Sequence, residues 1–130
     1  MGDSRRFDLF AKLISTRFPP SKYPRIADVA GGKGYLQLAL KDYGFKQIQT
    51  FDTRGRAIMR KLNHKRRSFN DHIQDEFDML VGMHPDEATD VIIVEAAKRG
   101  VPFVICPCCI KPTAIQYNEV HNYTKWFNHL

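Results

Sequence analysis

Seven consecutive residues, Asp28-Val-Ala-Gly-Gly-Lys-Gly34, carry the chemistry most easily read in this chain, and Asp52 is their natural partner. Closely spaced glycines let the backbone bend sharply and approach a ligand, and a helix beginning after them presents amide hydrogens with no partner of their own. A carboxylate at the end of the next strand can accept hydrogen bonds from both hydroxyls of a ribose. Together they suit a ligand that contains a nucleoside. Spacing narrows the choice: a dinucleotide fingerprint needs G-x-G-x-x-G, whereas counting from Gly32 gives Gly34 and then Gln37, and no G-x-x-x-x-G-K-[ST] phosphate loop occurs. The structural alternatives are an ordinary tight turn at Gly31 to Gly34 and an Asp52 that only caps a helix through Thr53 and Arg54.

Other residues invite weaker readings. His84 falls at the carboxyl end of a strand candidate, where a neutral imidazole can accept or relay a proton; a histidine hydrogen-bonded in the turn before Pro85 is the plain alternative. Asp86, with Glu87, is the second candidate for catalysis, though both acids equally suit the amino terminus of the next helix. Cys106, Cys108 and Cys109 raise the question of zinc with His121. A C-x-C-C spacing on a strand that alternates faces is awkward for one tetrahedral ion, so no metal is expected and the thiols read as reduced and buried. Arg54, Arg56, Arg60, Lys61, Lys65, Arg66 and Arg67 form the densest basic stretch, either a solvated face or a set of phosphate contacts for a nucleic acid. Tyr117, Tyr123, Trp126 and Phe127 near the end read as packing residues rather than a platform for bases.

Periodicity sets out the scaffold around these groups. Arg5 to Phe18 has apolar residues at helical steps and stops at Pro19-Pro20. Ile26 to Ala30 reads as a strand, Gly31 to Gly34 as a loop and Tyr35 to Leu40 as a helix, followed by a strand at Gln47 to Phe51 and a short helix at Arg56 to Leu62. A short third strand at Arg67 to Phe69, a fourth at Phe77 to Met83, a helix at Asp86 to Arg99 stopped by Gly100, a fifth strand at Val101 to Cys106 and a closing helix at Tyr117 to Leu130 complete the series. Strands alternating with helices predict an α/β fold, a three-layer, mainly parallel sheet of about five strands with helices on both faces. The 130 residues are 43% hydrophobic, enough for one core, and no linker divides residues 1–130. Twenty basic against 14 acidic residues leave +6, which favours an anionic partner. Met1 to Lys12 lacks the apolar stretch of a signal peptide, and a cytoplasmic location is expected.

The order acid, glycine loop, second acid resembles motifs one and two of the class I S-adenosylmethionine (SAM) methyltransferases, with Ala30, Gly32 and Gly34 where that family has three alternating glycines. The segment Val81-Gly-Met-His-Pro-Asp-Glu-Ala-Thr89 and Cys106-Pro-Cys-Cys109 are similar to V-G-L-H-P-C-G-x-x-T and P-C-C segments of Trm13-like RNA methyltransferases, with Asp86-Glu87 replacing Cys-Gly. The likeness covers roughly Ile26 to Cys109. It implies a Rossmann-like fold, SAM as cofactor, and methylation of RNA, tRNA or rRNA. By position it puts Asp28 near the cofactor's amino group, Ala30, Gly31, Gly32 and Gly34 under its methionine part and Asp52 on its ribose. It also puts Asn70 or Asp71 at the adenine and Gly82, Met83 and His84 beside the methyl group. The family adds two strands after the fifth, and only 21 residues follow Cys109, so the sheet is expected to be truncated there or completed by a protein partner or a second copy. Two other classes stay open: a catalytically silent SAM-binding module, and a nucleic-acid-binding α/β protein without cofactor.

Overall fold

The computed structural model describes residues 5–54, 57–106 and 116–118. The chain runs through α1 (Arg5–Arg17), β1 (Arg25–Val29), α2 (Tyr35–Asp42), β2 (Gln47–Phe51), β3 (His64–Lys65), β4 (Met79–Met83), α3 (Thr89–Arg99), β5 (Phe103–Cys106) and β6 (Gln116–Asn118), with a 3-10 turn at Asp86–Ala88 leading into α3. One sheet holds all six strands in the order β3-β2-β1-β4-β5-β6. The first five are parallel and β6 is antiparallel to β5. This is the α/β, Rossmann-like arrangement expected from the alternation of strands and helices.

Side chains of a strand alternate between faces, and here β1, β2, β4 and β5 each feed two separate cores. Ile26, Ile48, Met79, Val81, Val104 and Cys106 pack with Phe10, Ile14, Leu36 and Leu40 of α1 and α2. Ala27, Val29, Phe51, Leu80, Phe103 and Ile105 pack with Ile92, Ile93 and Ala96 of α3. Buried on both sides, the central strands read as short apolar runs, which is why they were legible as strands. At the amino edge of the sheet the Arg25 backbone N–H and guanidinium both donate to the Asp78 carboxylate, at 2.8 to 3.1 Å, and hold it below the ordinary carboxylate range. This anchor lies at the end of the sheet opposite the glycine loop.

Three expectations need correction. Residues 57–62 form bends and turns rather than a helix: the Ile58 amide donates to the Lys33 carbonyl at 2.7 Å, an attachment to the glycine loop that takes the place of a helical bond. The third strand lies at His64–Lys65, not Arg67 to Phe69, because the amides of Thr50 in β2 and of Asp52 just beyond it are met by the carbonyls of Asn63 and Lys65. Phe69 instead turns into the core against Phe51, with ring centroids 5.1 Å apart. The sheet also continues past strand five, since Tyr117 and Asn118, expected to open a closing helix, belong to β6. The rest of that helix, together with Cys108, Cys109 and His121, lies outside the described residues. Cys106 is buried, and burial pushes its thiol up. Among the described residues, no helix is long and apolar enough to cross a membrane.

Candidate functional site

From β1 the chain steps outward through β2 to β3, and from β4 in the opposite direction to β5, so the strand order reverses between β1 and β4. Open α/β sheets bind ligands outside the carboxyl ends of their strands at such a switch point. A cleft of about 410 Å3 lies there. Ala30 lines it from the end of β1, Asp52, Thr53 and Arg54 from the end of β2, Arg67, Ser68 and Phe69 from the segment after β3, and Pro85 and Glu87 from the turn after β4.

The glycine loop is bent by three left-handed residues, Ala30 (φ 57°), Gly32 (φ 59°) and Gly34 (φ 95°). The conformation costs glycine nothing and alanine on the order of 1 kcal/mol, so something must hold Ala30 in place. Asp52 supplies part of that hold: its Oδ2 accepts from the Gly32 amide at 2.7 Å and its Oδ1 from the Arg54 amide at 2.7 Å. On the other side the Gly32 carbonyl lies 2.6 Å from His64 Nε2 and, since a carbonyl only accepts, this nitrogen carries the ring proton. Asp52 is buried; its carboxylate offers about four acceptor positions, of which two are taken by backbone amides and a third faces the exposed Arg54 Nε at 3.5 Å from Oδ1. The capping alternative is met in part, by the turn to Arg54, but among the described residues, 57–62 form no helix.

Asp28 is fully buried beneath the loop. A Cβ placed on Gly31 would stand 2.2 Å from Asp28 Oδ2, so only glycine fits above this carboxyl. Thr50 Oγ1 donates to Oδ2 at 2.8 Å, and Oδ1 is buried without a hydrogen-bond partner. Burial pushes the Asp28 pKa up to about 7; the Thr50 bond opposes this and the nearby Asp52 charge adds to it. Gln37 extends the network, donating to Thr50 Oγ1 and to the Asn63 carbonyl, both at 2.9 Å, while its Oε1 accepts from the Asn63 amide at 3.1 Å. Four elements are thereby tied together under the loop. Thr50, Asn63, His64 and Gln37 were not singled out from the sequence for this role; the available signal was a polar Gln37 inside the apolar helical run Tyr35 to Leu40.

These contacts carry a pH prediction. With a folded pKa near 7 and an unfolded one of about 3.9, the unfolded chain releases a proton between pH 4 and 7 that the folded chain keeps. Stability from this group is therefore greatest below pH 4, falls as pH rises to 7 and is level above it, a difference on the order of a few kcal/mol. Asp28→Asn removes that component. Thermal melts of both proteins across pH 4 to 8 are expected to show the variant gaining on the wild type up to pH 7, and a constant difference would reject the assignment.

The remaining expected residues are distributed as follows. Gly82 lies against α3 with no room for a side chain, since a Cβ there would meet Ile92 Cδ1 at 2.6 Å. Met83 is buried in the α1 and α2 core. His84 is half-buried with φ 53°, a strained value for a non-glycine residue, and its amide donates to the Cys106 carbonyl at 2.7 Å. Asp86 opens the 3-10 turn. Asn70 and Asp71 are not among the residues lining the cleft: Asn70 Oδ1 accepts from the His72 amide at 2.9 Å, and exposed Asp71 sits 3.8 Å from His72 Nε2. Ser68 and Phe69 occupy the position expected of them, because the third strand ends earlier than predicted. Of the expected site residues, the structure brings Ala30 and Asp52 together in the cleft lining and places Asp28, Gly31, Gly32 and Gly34 in the scaffold beneath or beside it.

No family model and no curated protein sequence matches the chain. Its backbone is similar to the solved structure of the plantazolicin methyltransferase BpumL in complex with SAH, with a TM-score of 0.52 and 14% sequence identity. The match covers 78% of this chain and 45% of the methyltransferase, so the chain spans less than half of that protein's length. What the two share is a fold: the chain has the Rossmann-like architecture on which that methyltransferase is built.

Proposed function

We propose that the chain binds SAM in the cleft between Ala30, Asp52 and Phe69 and serves a SAM-dependent methyl transfer to RNA in the cytoplasm. The observation that carries the cofactor is Asp52, a buried carboxylate at the strand switch point that shapes the glycine loop and keeps acceptor positions for a ribose. The residues fit such a ligand. Phe51, Phe69 and Val91 give the cleft apolar surface for a base, Asp52 gives the ribose an acceptor, and the turn at Ala30 to Gly34 brings backbone close to the remainder. The fold shared with a methyltransferase solved with SAH supports the same ligand. Bound SAM supplies a methyl group on a sulfonium, which asks of the protein that it align the acceptor.

RNA is favoured by charge. Arg54 and Arg67 line the cleft, and Arg60, Lys61, Lys65 and Arg66 are exposed beside it, so phosphates can be held at the cofactor's rim. Binding of this kind falls steeply with added salt. The protein incubated with SAM carrying a labelled methyl group and total cellular RNA, protein or small-molecule pools tests the reading. Label in RNA, decreasing between 50 and 200 mM salt, is expected. Label confined to protein or small molecules would reject RNA, and cofactor binding without transfer to any pool would leave a silent SAM-binding subunit.

A further inference from the structure

We propose that Arg99, at the carboxyl end of α3, is a positioning residue that builds the base-facing wall of the cleft by fixing Phe69. The inference rests on the SAM reading above. Position 99 looks ordinary in sequence, a cation in the last turn of a helix where it complements the dipole. Its surroundings are not ordinary. The guanidinium lies over the Phe69 ring, 4.7 Å from the centroid. Its Nε donates to Glu95 Oε1 at 3.3 Å, one terminal nitrogen donates to the Asp75 carbonyl at 3.1 Å, and the other to the carbonyls of Ile73 and Asn70 at 2.7 and 3.3 Å. Four of the five N–H groups of the fork are thus used, three of them on the backbone of one turn, residues 70–75.

That turn is the continuation of the cleft wall. Phe69 lines the cleft and is braced edge-on by Phe51 and at a tilt by Phe77. The segment from Arg66 to Phe77 has no strand or helix of its own, so its backbone carbonyls need partners from elsewhere. Arg99 supplies them from the rigid helix α3, with buried Glu95 holding the guanidinium in register. Lysine cannot replace this planar fork, because a single ammonium cannot reach three carbonyls and stack on a ring at once.

Calorimetric titration of the full chain with adenosine and with SAH tests the assignment, using Arg99→Lys, Arg99→Ala, Phe69→Ala and the double variant Arg99→Lys/Phe69→Ala. Adenosine carries only the base and ribose, so a misplaced wall should weaken adenosine and SAH by the same factor, roughly tenfold, the scale of one lost stacking contact. In the Phe69→Ala background, Arg99→Lys is expected to cause no further loss of affinity, although it still lowers the melting temperature. A role in stability alone would move melting and leave adenosine affinity untouched. Wild-type adenosine affinity in Arg99→Lys, or losses that add in the double variant, would overturn the proposal while leaving the SAM reading intact. Should Arg99→Ala not fold, Arg99→Lys carries the comparison. A wild-type chain that binds neither adenosine nor SAH would remove the cofactor reading, and this proposal with it.

Discussion

Asp52→Ala is expected to reduce affinity for SAH by about 1–3 kcal/mol, or roughly 5- to 150-fold, the cost of losing a charged acceptor for ribose hydroxyls. The same change removes the acceptor of the Gly32 and Arg54 amides, each held at 2.7 Å. Leaving such amides without partners costs further stability, roughly 1–3 kcal/mol where water cannot reach them. Both effects are read together, affinity by calorimetry and stability by thermal melting. Asp52→Asn is the milder test, because it removes the charge and one acceptor oxygen while the other oxygen still accepts from one of the two amides. A folded Asp52→Asn protein that binds SAH as tightly as the wild type would reject the ribose role.

Gly31→Ala is expected to have the largest effect on stability of any single methyl addition to the loop. The new Cβ would lie 2.2, 2.5 and 2.7 Å from Oδ2, Cγ and Oδ1 of Asp28. A flexible side chain would swing away, but this carboxyl is short, fully buried and tied to Thr50, so the backbone must move instead. Overpacking of well-filled sites costs about 1–3 kcal/mol and sometimes more, and here the loop that moves is the one Asp52 must match. Melting should fall accordingly. Combining Gly31→Ala with Asp28→Ala removes the clashing group, so the double variant is expected to be more stable than the sum of the single losses predicts. Strict additivity would show that Asp28 does not set the loop.

The sequence announced more of the scaffold than of the cleft, for identifiable reasons. The second strand is legible at its observed limits, Gln47–Phe51, because the strand-favouring residues Ile48, Thr50 and Phe51 lead up to Asp52. The acid, glycine and acid positions around the switch point were legible for the same reason: few backbones other than a tight bend call for three glycines in four residues. Between residues 57 and 69 the pattern and the structure diverge. Ile58, Met59 and Leu62 have helical spacing, yet Ile58 and Met59 are exposed and only Leu62 packs, beneath Gly34. Periodicity detects a common face, not whether that face has anything to cover. The two-residue β3 is too short to carry a pattern, and placing it late moved the expected adenine contacts from Ser68 and Phe69 to Asn70 and Asp71. The role of Arg99 is not legible because three of its hydrogen bonds go to carbonyl oxygens, which every residue possesses.

Whether the cleft at the β1 and β4 switch point receives an adenosyl ligand, as proposed, is decided by a crystal structure of the chain grown with SAH. Density is expected in the cleft, with the ribose hydroxyls within hydrogen-bond distance of Asp52, the base beside Phe69 and the homocysteine end at the turn from Ala30 to Gly34. Ligand density elsewhere on the molecule, or a cleft that stays empty at millimolar SAH, would contradict it.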